Sequence, residues 1–224
     1  VEHANLGVLN FSKDTAATVQ GDIFVDLEGE QIDDLYGSAT VTDASFSDYR
    51  GEYKLDRMHL HIEAEEDQKS LQLYSDYFDI NVIGKFSIAK LPSSLLHSAY
   101  NYLPALSDSA ELVRWVPSEQ QFSYSIVTKK SDELARWLVP GLSISENSGF
   151  YGDYSSSKDI FTLKGHADQI KYNDVMLSDY AIDLHESTNS ISLESKGSTL
   201  LIGDSLQVNT PHLYVKTNST NNNI

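Results

Sequence analysis

The chain has no cysteine, five prolines, and only 16 lysines and arginines against 33 aspartates and glutamates. Without thiols there can be no disulfide framework, thiolate nucleophile or cysteine-ligated zinc. A formal net charge of −17 removes the concentration of positive charge that nucleic acid or an anionic membrane surface would require. The simplest consequence of such a charge is solubility. No stretch approaches the ~18 apolar residues of a membrane-crossing helix, and no signal-peptide pattern is present. The opening Val1-Glu2-His3 reads as that of an excised or processed chain, with any anchor or targeting segment lying outside it.

Catalytic signatures are also missing. There is no G-x-S-x-G elbow, phosphate loop, dinucleotide fingerprint or EF-hand loop. Carboxylates are plentiful, but Asp33-Asp34 and Glu65-Glu66-Asp67 fall in expected turns, and no pair stands out as a glycosidase-type acid and base. The chain is read as a non-enzyme with no cofactor. Asn10-Phe11-Ser12 and Asn218-Ser219-Thr220 match the N-glycosylation pattern, as chance allows in so Ser/Thr-rich a chain.

What the chain does have is strand alternation, and it has it twice. Leu55, Met58, Leu60 and Ile62 are followed by Ser70, Leu71, Leu73 and Ser75. Leu177, Tyr180, Ile182 and Leu184 are followed by Ser190, Ile191, Leu193 and Ser195 in the same way. Alternation of period two puts one set of side chains on one face of a sheet. Short alternating segments also surround Ile23/Val25/Leu27, Ala39/Val41, Ile80/Val82, Phe86/Ile88, Phe122/Tyr124/Ile126, Phe161/Leu163, Leu200/Ile202, Leu206/Val208 and Leu213/Val215. Gly, Asp, Ser and Asn bound them, which is the spacing of an all-β chain. The expected fold is a curved antiparallel β-meander forming one domain over 1–224. Repeat-like units span about 21–90 and 122–215, and 218–224 is a polar tail. The units fall short of the copies a stable repeat array needs, which makes the chain a fragment of something longer.

Period-two alternation lapses in two places, and short helices are expected there, at about 91–116 and 131–139. In the first, Leu95, Leu96, Ala99, Tyr102, Leu103 and Leu106 fall at helical spacing, giving one apolar face. No Lys or Arg lies between Pro92 and Leu106, so the basic face of a membrane-surface helix is missing. This helix is expected to cover the dry face of the sheet as a lid or plug through Leu95, Leu96, Ala99, Leu103 and Leu106.

His59, His61 and Glu63 project from one face of a strand and form the best metal-ligand candidate. Their repeat counterparts are Ala181, Asp183 and His185, while the dry positions stay apolar. The triplet therefore reads as the wet face of an amphipathic strand, and no metal is expected.

The block Gly21 to Leu106 resembles the large periplasmic TamB and AsmA-like proteins, particularly those of Bacteroidetes. The resemblance rests on Gly21-Asp22-Ile23-Phe24-Val25-Asp26-Leu27-Glu28-Gly29 and Ile32-Asp33-Asp34-Leu35-Tyr36-Gly37. It continues through Tyr53-Lys54-Leu55-Asp56, the run Ser70 to Asp79, Gly84-Lys85-Phe86 and Tyr100 to Leu106. Phe122 to Leu193 looks like a second unit. The resemblance implies a trough of β-strands with an apolar interior, in a periplasmic protein anchored to the inner membrane elsewhere in its chain. It implies a part in phospholipid transport between membranes and in outer-membrane assembly. An outer-membrane barrel protein could then be a partner through regions outside this segment.

On that reading Met58, Leu60, Ile62, Leu71, Leu73, Ile182, Leu184, Ile191 and Leu193 line a groove for phospholipid or other acyl chains. The alternative is a β-sandwich binding module, an adhesin or glycan-binding domain. Its contacts would be aromatic residues in Tyr-rich acidic loops such as Phe150-Tyr151-Gly152-Asp153-Tyr154. The direction in which the dry faces point separates the two readings.

Overall fold

An alternating strand buries its apolar side only if neighbouring strands carry the same phase across the hydrogen-bonded ladder. The computed structural model describes residues 4–5, 17–48, 51–66, 68–91, 94, 119–130, 141–158, 160–187 and 190–218. Its first half consists of β1 (Ala4–Asn5), β2 (Thr18–Glu28), β3 (Tyr36–Asp48), β4 (Gly51–Glu65), β5 (Gln68–Ser75), β6 (Phe78–Lys85) and β7 (Gln121–Thr128). The second half consists of β8 (Leu142–Ile144), β9 (Gly149–Ser155), β10 (Ile160–Tyr172), β11 (Val175–Ser187) and β12 (Ser190–Lys196). It ends with β13 (Thr199–Ile202), β14 (Leu206–Asn209) and β15 (His212–Asn218).

All of these strands belong to one curved antiparallel sheet. The order is β1-β2-β3-β4-β5-β6-β7-β9-β10-β11-β12-β15, with β8 beside β10 and the β13–β14 hairpin beside β11. The fold is mainly β, as the alternation predicts. The two repeat-like halves join where β6 pairs β7 from Phe78↔Thr128 to Lys85↔Gln121.

The registers carry the apolar phase across the sheet. One row starts at Leu27 opposite Gly37, then passes to Ile62, Leu71, Val82 and Tyr124. Tyr124 faces Gly152 on β9, and the row resumes through Leu163, Leu184, Leu193 and Val215. The adjacent row runs Val25, Ala39, Leu60, Leu73, Ile80, Ile126 and Phe150, then Gly165, Ile182, Ser195 and Leu213. Each row crosses eleven strands, and ten steps of about 4.8 Å make a path of roughly 50 Å.

The two repeated hairpins keep the face but not the register. In β4–β5, Leu60 pairs Leu73 and Ile62 pairs Leu71. In β11–β12, Leu184 pairs Leu193 and Ile182 pairs Ser195. Nine positions separate Ile62 from Leu71, and seven separate Leu184 from Ile191. A difference of two is even, so every apolar side chain stays on its face.

Several sequence expectations need correction. Phe150 to Tyr154 is not a loop: it lies in β9, paired on one side with β7 and on the other with β10. Its two glycines and its acidic residue hide a strand whose dry positions are Phe150 and Tyr154. Phe86 and Ile88 lie beyond the end of β6. There the backbone turns, with Leu91 N–H donating to Ser87 C=O (3.1 Å) and Ser94 N–H to Lys90 C=O (2.9 Å). Leu91 and Ser94 are helical; the rest of the expected 91–116 helix, and 131–139, lie outside the described residues. Asn218 ends β15, and the remainder of the expected polar tail also lies outside them.

Candidate functional site

The nine residues expected to line a groove lie on strands whose registers place them on the same face. Leu60 and Ile62 pair with Leu73 and Leu71, and Leu184 pairs with Leu193. Met58 sits opposite Val41 and Ser75. Ile62 and Leu184 are buried, and the other seven are half-buried. Leu71, Ile191 and Leu193 pack against a closed core in the middle of the sheet, while Met58, Leu60, Leu73 and Ile182 lie outside it.

That core is mostly aromatic. Val82, Phe86, Phe122, Tyr124, Tyr154, Phe161 and Leu184 form it. Phe122 stacks on Tyr154 (5.1 Å between ring centroids), meets Phe86 edge-on (5.9 Å), and lies beside Tyr124. Tyr124 in turn stacks on Phe161. Such offset and edge-to-face pairs add to the area the rings bury.

Two glycines make the arrangement fit. A Cβ on Gly152 would lie 1.9 Å from the Thr162 carbonyl oxygen and 2.9 Å from the Tyr124 hydroxyl. The missing side chain lets Tyr124 reach across β9 and donate to Thr162 C=O on β10 (2.8 Å). Gly165 is covered in the same way by the Phe150 ring. Burial, with the nearby Asp153 charge, pushes the Tyr124 hydroxyl far above its ordinary pKa.

The chain itself covers part of this face. After β6, Phe86, Ile88 and Leu91 fold onto the core. Asp33, in the short 3-10 turn Ile32–Asp34 between β2 and β3, holds the segment from the far side. Its carboxylate accepts from Ser87 Oγ (2.8 Å) and Ala89 N–H (3.2 Å), and Lys69 Nζ donates to its carbonyl. Partial burial tends to raise the Asp33 pKa, but the Ser87 hydroxyl, the Ala89 and Ile88 amides and Lys69 outweigh it and hold the carboxyl below its ordinary value.

The segment returning at Gln120 is clamped to the same place. Gln120 is buried; its Nε2 donates to Ser94 Oγ (2.7 Å), its Oε1 accepts from Ser87 N–H (3.3 Å), and its N–H donates to Ser156 Oγ (3.0 Å). Both stems of the 95–118 excursion are thus fixed at one end of the dry face. The expected lid residues Leu95, Leu96, Ala99, Leu103 and Leu106 lie outside the described residues.

At its margins the dry face is bare. Ile23 and Val25 on β2 are exposed, as are Leu213 and Val215 on β15. Val25 and Leu213 end one apolar row; Val215 ends the other, whose first residue, Leu27, is half-buried.

The opposite face carries the polar side chains of β4, together with exposed Phe24, Ile83, Val127 and Tyr151. His59 Nδ1 lies 2.9 Å from Thr40 Oγ1 and His61 Nε2 lies 3.1 Å from Glu63 Oε1. The two imidazoles stack at 6.4 Å. Among the described residues no group of three or more metal-ligand side chains converges. Two recesses open here. One, of about 340 Å³, is lined by Arg57, His59, Tyr74, Ser75, Asp76 and Lys129. The other, of about 720 Å³, crosses β6, β7, β9 and β10 and includes Ile83, Ser123, Asp153 and Thr162. Sequence reading missed the first because Arg57 and Lys129 are 72 positions apart and come together only through the strand succession β4-β5-β6-β7.

No family model, curated protein or solved structure matches this chain.

Proposed function

We propose that this chain is a segment of a lipid-carrying β-trough of the TamB and AsmA-like kind. Its dry face would hold phospholipid acyl chains during transport between membranes and outer-membrane assembly. The reading includes a periplasmic location in a protein anchored to the inner membrane outside this segment. It also allows for an outer-membrane barrel partner engaged through other regions.

The observation that carries the proposal is the apolar phase, which continues across eleven strands of a single sheet and remains uncovered at both margins. A sandwich would use a second sheet to cover that face, and the described strands form one sheet. An acyl chain in such a trough gains ~0.8 kcal/mol per buried CH₂ without any directed polar contact. That accounts for a functional surface with no catalytic constellation. The aromatic centre separates two margins, where Ile23 and Val25 on β2 and Leu213 and Val215 on β15 are exposed.

Binding of a fluorescent phospholipid to the whole chain tests this reading. Leu60, half-buried and outside the aromatic core, is the position to alter. Leu60→Glu should abolish phospholipid capture while the far-UV strand signal persists. Undiminished capture by a folded Leu60→Glu protein, or no capture by the unaltered chain, would refute the proposal.

A further inference from the structure

The polar face carries a recess whose chemistry runs against that of the chain. In a molecule with 33 acidic and 16 basic residues, the recess of about 340 Å³ gathers Arg57 and Lys129 beside His59 and Tyr74. Its volume lies at the low end of the ~300–1,000 Å³ of small-molecule sites. The arrangement is braced on every side.

Ser75 Oγ donates to Phe78 C=O (2.8 Å) and accepts from the N–H groups of Tyr77 (3.2 Å) and Phe78 (3.1 Å), locking the β5–β6 turn. That turn presents Asp76, whose carboxylate accepts the Arg57 backbone N–H (2.8 Å). Lys129 N–H donates to Tyr77 C=O (2.8 Å). Its ammonium is matched by Asp79 (2.6 Å) and by Ser75 C=O (3.1 Å). The Arg57 guanidinium makes no ion pair or side-chain hydrogen bond among the described residues. It is the cation of the recess without an ion-pair partner, as Asp76 is its anion without one, and its planar fork suits a carboxylate or a phosphate.

The neighbours choose between those two anions. Asp76 also lines the recess, and its carboxylate repels a dianion about twice as strongly as a monoanion at the same distance. Asp76 can instead accept hydrogens from hydroxyl groups, and Lys129 can donate to their oxygens. Tyr74, half-exposed at the rim, offers a flat apolar surface. One guanidinium for one carboxylate, a hydroxyl acceptor, a hydroxyl donor and an aromatic plate together describe a small polyhydroxylated monocarboxylate. We propose that this recess binds an acidic monosaccharide unit of the uronic acid class, its carboxylate on Arg57, its hydroxyls on Asp76 and Lys129, and its apolar ring face on Tyr74. The site lies on the face opposite the apolar rows, so it stands or falls independently of lipid binding.

Calorimetric titration of the whole chain with glucuronate, glucose and inorganic phosphate tests the assignment. Arg57 is exposed, so Arg57→Gln should leave thermal unfolding unchanged. Glucuronate should bind saturably, at least tenfold more tightly than glucose and more tightly than phosphate. Arg57→Gln should weaken it at least tenfold, and Tyr74→Ala should weaken it several-fold. Any one of four results overturns the proposal. These are no glucuronate binding, equal binding of glucose, tighter binding of phosphate, or glucuronate binding untouched by Arg57→Gln in a folded protein.

Discussion

The middle of the sheet and its margins are built from the same alternating pattern and end in opposite conditions. At the centre, β6, β7, β9 and β10 set Phe122, Tyr124, Tyr154 and Phe161 against one another, and the chain lays Phe86, Ile88 and Leu91 over them. At the margins, β2 and β15 present Ile23, Val25, Leu213 and Val215 exposed on the same face. A strand pattern therefore decides which side is apolar, and the size of the side chains with the path of the connections decides whether that side is closed. Aromatic rings reach across neighbouring glycines and fill the concavity at the centre.

The largest effect should come from placing a charge on each region. Leu184 is 6% exposed and Leu213 is 53% exposed. Leu184→Asp should cost several kcal/mol, because an unpaired charge would be buried, and should abolish the cooperative transition in urea. Leu213→Asp should leave that transition within about 0.5 kcal/mol of the parent, as exposed substitutions do. Equal losses at both sites would erase the distinction between centre and margin.

Truncation sharpens the same contrast. Phe122→Ala should destabilise by about 3–5 kcal/mol, whereas Val25→Ala, at a bare margin, should fall near the measurement error. Next in size is Gly152→Ala. The added methyl would meet the Thr162 carbonyl and the Tyr124 hydroxyl, for an expected loss of about 1–3 kcal/mol. Urea unfolding of the three variants reads these values. An unaffected Gly152→Ala protein would mean that Tyr124 does not cross β9 as described.

The smallest effect is a pH dependence at the clamp over the centre. The Asp33 carboxyl is held below its ordinary value of 3.8. A depressed pKa in the folded state favours folding where the unfolded carboxyl is also ionised, and that contribution fades as pH falls through the folded value. Asp33→Asn should therefore remove a small stabilisation above about pH 4 and flatten the acid limb of the stability curve below it. An identical acid limb in the two proteins would remove Asp33 from the clamp's account.

Much of the architecture was legible in the residues, because period-two alternation is a local property. Met58, Leu60 and Ile62 declare their face without knowledge of any partner strand, and so do Ile191 and Leu193. Strand β9 was not legible. Gly149 and Gly152 with Asp153 imitate a turn, and only the approach of the Thr162 carbonyl and the Tyr124 hydroxyl explains why glycine belongs at position 152. The clamp at Gln120 was equally hidden, since its partners Ser87 and Ser94 come from one distant segment and Ser156 from another. The Arg57 recess depends on long-range pairing in the same way.

Photocrosslinking along β4, one residue at a time, in the presence of phospholipid tests the central claim most directly. Residues 58, 60 and 62 share the dry face, while His59, His61 and Glu63 share the polar one. A photoreactive side chain at 58 or 60 should capture phospholipid in the folded protein, and the same group at 59, 61 or 63 should not, giving a period of two. Capture from both faces alike, or from neither, would contradict the account of a one-sided apolar trough.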